Sequence, residues 1–163
     1  METVILLGGN LGDVSGNFAL CRGLVERRIG AVKSQSSELT TVAWGFSAEG
    51  LFLNQALLVE TNLSPKELLL QTQAIEQEVG RNRTDEAVQK TMSGERYASR
   101  IIDVDIITYG EQVVDMEGLT IPHVRMHERE FVLRPMAEVA PQWLHPTLNK
   151  STVELLENVM NAN

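Results

Sequence analysis

Arg100-Ile101-Ile102-Asp103-Val104-Asp105-Ile106-Ile107 alternates apolar and acidic residues with a period of two. Side chains alternate across a β-strand, so Ile102, Val104 and Ile106 face one way, into a core. Asp103 and Asp105 face the other way, with Cα atoms roughly 6–7 Å apart. The strand is expected over residues 101–109, with Gly110 as its boundary. Upstream, residues 81–99 are polar and lack apolar periodicity, which predicts a long loop of the kind used as a lid or binding loop. Before it, Ser64-Pro65-Lys66-Glu67 supplies a cap, a proline at the first helical position and a glutamate three residues after the cap. That is a capping box. Leu68, Thr72, Ile75 and Val79 continue one helical face, and Gly80 is the expected stop.

Further toward the N-terminus, residues 52–60 and 32–44 read as two strands. Residues 16–28 have a helical stripe through Phe18, Leu20, Cys21, Leu24 and Val25, and Gly30 stands as a stop. Val4-Ile5-Leu6-Leu7 is a buried strand that enters the turn Gly8-Gly9-Asn10-Leu11-Gly12-Asp13. Downstream of Gly110, Val113-Val114 suits a short edge strand, followed by Leu119-Thr120-Ile121-Pro122. A helix is expected over residues 128–139, interrupted near Pro135. Ser151-Thr152-Val153-Glu154 repeats the capping box and starts a C-terminal helix. The order strand, helix, strand, strand, helix, strand is βαββαβ. The expected fold is therefore an α+β, ferredoxin-like sandwich with additional C-terminal helices and long active-site loops.

The 163 residues suit one domain spanning 1–163, with enough chain to bury a real core. A net charge of −8 opposes general binding to nucleic acid or anionic membranes. Yet eight of the fourteen Lys and Arg residues fall within residues 81–134, so a local basic site for an anion remains open. Cys21 is the only cysteine, which excludes an intramolecular disulfide and reads as a buried, inert thiol. The first apolar run is too short for a signal segment or a membrane span, and the expected location is cytoplasmic.

Two carboxylates on one strand are costly unless something offsets their burial and mutual repulsion. A hard cation would do so, since carboxylate oxygens suit Mg²⁺ and Mg²⁺ also binds phosphate oxygens. Two solvated acids on an exposed strand face would need no such partner, and both readings stand on this fragment alone. Arg81, Arg83, Arg96 and Arg100 precede the strand, and Arg125, Arg129 and Arg134 follow it. Arginine forks suit phosphate. Singly, each could equally pair with Asp85, Glu86, Glu95, Glu128 or Glu130 on the surface. As a cluster around Asp-x-Asp they favour a metal–polyphosphate site. The glycine turn after the first strand lacks the lysine and hydroxyl residue of a phosphate-binding P-loop and does not fit the dinucleotide-binding pattern. His123, His127 and His145 lack zinc-ligand spacing. The residues alone thus reach a Mg²⁺-dependent handler of a nucleotide or other polyphosphate, with the acceptor undetermined.

Six segments together resemble the hydroxymethyldihydropterin pyrophosphokinases. They are Arg-x-x-Asp-x-Asp at 100–105, the glycine-asparagine-leucine turn at 8–13, Phe52-Leu53-Asn54-Gln55-Ala56, Gln73-Ala74-Ile75-Glu76 with Gly80-Arg81-Asn82-Arg83, Leu119-Thr120-Ile121-Pro122-His123, and Arg129-x-Phe131-Val132-Leu133-x-Pro135. The resemblance implies a ferredoxin-like fold and transfer of the β,γ-pyrophosphoryl group of ATP to a pterin hydroxymethyl oxygen, with AMP leaving. It implies two Mg²⁺ ions on Asp103 and Asp105. Arg83, Arg100, His123 and Arg129 would bind ATP phosphates and the charge developing in transfer, while Gln73, Glu76, Leu119 and Thr120 would line the nucleotide side. Asn54 would hydrogen-bond the pterin, Phe131 would stack on it, and Trp44 and Phe52 would lie near. Thr41, Val42 and Ala43 would offer backbone groups to its edge.

Some positions depart from the family pattern. Ala98-Ser99 stand for Gly-Pro, Gly118 for an arginine, Val42-Ala43 for a Pro-Pro pair, and Phe52 and Val124 for tyrosines. The segment from Arg83 to Arg100 is also longer than in short members. Two rivals remain at this stage: a phosphotransferase with a non-pterin acceptor, and a binding module without turnover.

Overall fold

The computed structural model describes residues 1–42, 51–81 and 101–162. Its main sheet contains β1 (Glu2–Gly9), β2 (Gly30–Gln35), β3 (Leu39–Val42), β4 (Leu51–Thr61) and β5 (Asp103–Ile106). The order across it is β2-β4-β1-β5, with β3 also on β4, and every pairing is antiparallel. Helix α1 (Val14–Arg28) joins β1 to β2, and α2 (Pro65–Arg81) follows β4. With β2 and β3 counted as one interrupted strand, this is the βαββαβ arrangement expected from the sequence. A hairpin of β6 (Val114–Met116) and β7 (Leu119–Ile121) comes next, then a 3-10 turn at Met126–Glu128, α3 (Glu130–Val139) and α4 (Thr152–Ala162).

Both faces of the sheet are covered, which explains why β1 is a continuous apolar run rather than an alternating one. Ile5 and Leu7 pack with Leu57, Val59, Val104 and Ile106 against the α1 and α2 side chains. Val4 and Leu6 pack with Ala56 and Ile107 against Val132, Leu133 and Met136 of α3 and Leu155 of α4. Cys21 lies inside the first of these cores, fully buried. Burial, with Glu76 nearby, pushes its thiol up to about 12, so it stays protonated and inert.

Local chemistry sets the element ends. In the capping box, the Glu67 N–H donates to Ser64 Oγ at 3.2 Å and the Ser64 N–H donates to Glu67 Oε1 at 3.0 Å. Ser151 and Glu154 repeat the pair at the start of α4, at 3.2 and 3.0 Å. Five expectations need correction. Helix α1 begins at Val14, because Asp13 caps it by accepting from the Gly16 N–H at 3.1 Å. The expected strand over residues 32–44 is two strands, since Ser36 turns inward to exchange bonds with Ala56 and Ser37 is held by Glu138. Helix α2 runs through Gly80 to Arg81; Gly80 is not among the glycines with positive φ, so no left-handed stop forms there. Pro135 lies inside α3 without ending it; its missing N–H leaves one helical bond unmade, yet the helix continues to Val139. The strand expected over residues 101–109 is shorter, Asp103–Ile106.

Candidate active site

The ladder fixes which residues share a surface. Side chains directly opposite one another in antiparallel strands lie on the same face. Asp105 is opposite Leu6, Asp103 is opposite Gly8, and Gly8 is in turn opposite Asn54. Asn54 pairs with Leu39, and two residues along β4 Phe52 pairs with Thr41. Asp103, Asp105, Gly8, Asn54, Phe52 and Thr41 therefore all project from the face that α3 partly covers. Asp103 is half-buried, Asp105 exposed, and Asn54 buried.

Antiparallel ladders alternate the direction of backbone groups, and on β5 that points the Val104 N–H away from β1. It donates to Glu76 Oε2 at 2.7 Å, so α2 is tied to the acidic strand by a residue expected on the nucleotide side. Beyond that edge is a cavity of about 200 Å³. Asp105, Leu119, Thr120 and His123 line it, together with Gly118 and Val124, so two of the departures from the family pattern fall in one wall. Gly118, at φ +81°, is a turn glycine between β6 and β7, which favours it over an arginine there. Gln73 is exposed on α2 and does not line this cavity.

His123 has a buried Nδ1 with no hydrogen-bond partner among the described residues. Burial, then the nearby Arg129 charge, holds its imidazole below the ordinary range. Arg129 stands at the N-cap position of α3 without a side-chain cap bond, and its guanidinium lies 5.5 Å from the centroid of the Phe131 ring, a cation–π distance. Phe131 is 38% exposed, so its ring is available for stacking. The other described arginines around the strand are surface ion pairs: Arg125 with Glu128 at 3.2 Å and Arg134 with Glu130 at 3.3 Å. Val42 lies on β3 opposite Leu51. Ala43, Trp44, Arg83, Arg100 and the expected lid over 81–99, apart from Arg81, lie outside the described residues.

Among the described residues no group of three or more His, Cys, Asp or Glu side chains could hold a metal ion. Asp103 and Asp105 alone still fit Mg²⁺, which keeps water ligands and shares phosphate oxygens instead of requiring a closed protein cage. Leu69, Thr72, Val104 and Ile106 also wall the cavity, and spacing in the sequence does not find them because they come from α2 and β5. Among the described residues no helix is long and apolar enough to cross a membrane.

The fold and site define a ferredoxin-like α+β domain with an acidic strand beside a pocket. A family model described as 7,8-dihydro-6-hydroxymethylpterin-pyrophosphokinase matches residues 4–141, and the chain belongs to that family. It is 36% identical, over 96% of this chain and 75% of the relative, to a 2-amino-4-hydroxy-6-hydroxymethyldihydropteridine pyrophosphokinase from Synechocystis. A protein of the same name from Aquifex aeolicus is 33% identical over 94% of this chain and 90% of its own length. Among solved structures, wild-type Plasmodium falciparum HPPK-DHPS superposes with a TM-score of 0.76 at 14% identity, covering 98% of this chain and 43% of that one. That likeness supports the fold alone, and this chain spans less than half of that larger protein.

Proposed function

We propose that this chain transfers the β,γ-pyrophosphoryl group of ATP to the hydroxymethyl group of 6-hydroxymethyl-7,8-dihydropterin, giving AMP and the pterin diphosphate, a step of folate biosynthesis. The observation that carries the reading is the shared sheet face, where Asn54, Phe52 and Thr41 stand beside Asp103 and Asp105 in a member of this family. The alcohol oxygen bonds to the β-phosphorus as that phosphorus separates from the α,β-bridging oxygen. AMP departs with the bridging oxygen, and the alcohol proton passes to solvent.

Most of the rate would come from alignment and charge neutralisation, so the protein's work is positioning. Asn54 orients the pterin edge and Phe131 stacks on the ring, as a flat heterocycle requires. His123, neutral at neutral pH, donates one N–H to a phosphate oxygen. Arg129 brings positive charge to the same phosphates, and Arg83 and Arg100 join it on the strength of the family pattern. Glu76, Leu119 and Thr120 border the nucleotide, and so does Gln73 from the exposed side of α2. Thr41, Val42 and Ala43 present backbone groups to the pterin, with Trp44 and Phe52 near. Two Mg²⁺ ions on Asp103 and Asp105 supply neutralisation of the phosphate oxygens when bound. The single-domain reading of residues 1–163 draws support from β1, whose two faces feed both cores.

The test is AMP formation from ATP and Mg²⁺ with and without the pterin. AMP that depends on the pterin is expected. Folded protein that yields none above the ATP-only level would overturn the assignment and point to another acceptor.

A further inference from the structure

A second cavity, of about 580 Å³, opens where β1 begins. It is nearly three times the size of the one beside the acidic strand, and no residue lines both. Phe131 is in the first turn of α3, and Val139, the last residue of that helix, lines the second cavity roughly 12 Å further along. Its volume is within the range of small-molecule sites, roughly 300–1,000 Å³.

The wall has a definite chemistry. Val4, Leu58, Val139 and Pro141 give it an aliphatic surface, and Trp143 adds an indole. Four of its donors are already committed. The Val4 N–H donates to Thr108 Oγ1 at 3.0 Å, the Gly110 N–H to Glu2 O at 2.7 Å and the Ala140 N–H to Met136 O at 2.7 Å. Trp143 Nε1 donates to Gly110 O at 2.7 Å, and the indole meets the His145 ring edge to face with centroids 5.5 Å apart. The indole is thus held in place with its one polar atom engaged, and what it has left to offer is π surface. Both charged residues on the wall are acidic, Glu2 and Glu111. Lys33 reaches Glu2 at 3.4 Å, whereas Glu111 has no ion pair among the described residues. An anion would meet carboxylates and spent donors. A neutral apolar ligand would leave Glu111 to water. Only a cation with an apolar body uses the carboxylate, the indole and the aliphatic surface together.

We propose that this cavity is a second binding site, for a small organic cation: an ammonium group at Glu111 carried on a flat apolar body that packs against Trp143 and the aliphatic wall. Charge sets its selectivity and the apolar surface supplies most of its affinity. Because Glu111 is exposed, its ion pair contributes only a few-fold to binding.

The test reads binding, not turnover, so it stands or falls independently of the acceptor in the pyrophosphoryl reaction. The chain has two tryptophans, and the indole N–H resonance of Trp143 is assigned as the one missing in Trp143→Phe. The ligand used is 2-phenylethylammonium, compared with the neutral 2-phenylethanol and the anionic 3-phenylpropionate. A ligand this small should bind with a Kd on the order of 1–10 mM. The ammonium is expected to shift the Trp143 resonance saturably, the alcohol to bind about threefold more weakly, and the acid to leave it unmoved. Glu111→Gln should bring the ammonium and the alcohol to equal affinity. Ala140→Leu, which fills the cavity, should abolish the shift by both. No saturable shift with the ammonium, an equal response to all three ligands, or a preference for the cation that survives Glu111→Gln would overturn the proposal. If Ala140→Leu does not fold, the ligand series on wild type and Glu111→Gln still decides.

Discussion

The two faces of the central sheet begin alike and end differently. On the side of α1 and α2, apolar residues continue from Ile5, Leu57 and Val59 to Val104 and Ile106 at the acidic strand. On the side of α3 and α4, the lower half is equally dry, with Val4, Leu6, Ala56 and Ile107 beneath Val132, Leu133 and Met136. The upper half of that second face is where Gly8, Asn54, Asp103 and Asp105 project. Moving a carboxylate out of water into a dry core costs more than a typical core contact returns. A sheet that must carry two of them therefore draws its stability from one complete face and half of the other. The division predicts that substitutions on the dry surfaces change stability, whereas those on the open half change chemistry.

Asp105→Ala should break the comparison most visibly. The carboxylate is exposed and its removal leaves no cavity, so the chain should melt within a few degrees of wild type. Pyrophosphoryl transfer should fall on the order of 10³-fold, because a metal clamp is worth several kcal/mol in the transition state. AMP formation and a thermal melt together check both halves. A folded Asp105→Ala protein with near-normal turnover would remove Asp105 from the metal site.

Leu57→Ala is the opposite case. Leu57 is fully buried on the dry face. Its truncation should cost about 3 kcal/mol through lost burial and a residual cavity. Denaturant unfolding would measure that loss, and activity per folded molecule should hold. A drop in kcat equal to that of Asp105→Ala would show that the two faces are not separable. Phe131→Ala is a smaller effect on the open half. Losing a stacking ring should weaken pterin binding roughly tenfold. ATP affinity and stability should hardly move, since the ring is already well exposed. Calorimetry with each ligand separates the two.

How much of this division was legible in the sequence depends on the range of the interactions. The inward set Ile102, Val104 and Ile106 and the outward pair Asp103 and Asp105 follow from a period of two, and the structure has them so. Both capping boxes were legible because each joins residues three apart. The row Asp103–Gly8–Asn54 was not, since it depends on registers between strands separated by about 50 residues or more along the chain. Nor was the break between β2 and β3, which Glu138 holds from 101 residues away through Ser37. Spacing alone led to a polyphosphate and a metal but not to a pterin. Asn54 joins the row of Asp103 only once β1 pairs with both β4 and β5, and Phe131 reaches that side of the sheet only with α3.

The smallest effect concerns two histidines, one beside the cavity and one away from it, each kept below the ordinary imidazole range mainly by burial. His123 borders the cavity; His145 lies in the connection between α3 and α4, 6% exposed. His145 Nδ1 accepts the Thr147 and Leu148 N–H groups at 3.2 and 3.1 Å, and His127 nearby also opposes its protonation. A base with a depressed folded pKa takes its proton more readily when unfolded. The stability it confers is therefore present above the ordinary histidine pKa of about 6.5 and is lost as pH falls below it. The lowered carboxylates Glu67 and Glu154 lose their contribution only in the more acidic carboxylate range. Melts between pH 7 and pH 5 thus isolate the histidines. In His145→Asn the amide oxygen can still accept the turn's N–H groups, yet nothing titrates in that window. Its stability should decline less steeply with acidification than wild type, with His123 supplying what slope remains, and turnover at pH 7 should be unchanged. An unaltered slope would move the pH sensitivity out of the α3–α4 turn, and altered turnover would join that turn to the chemistry of the site.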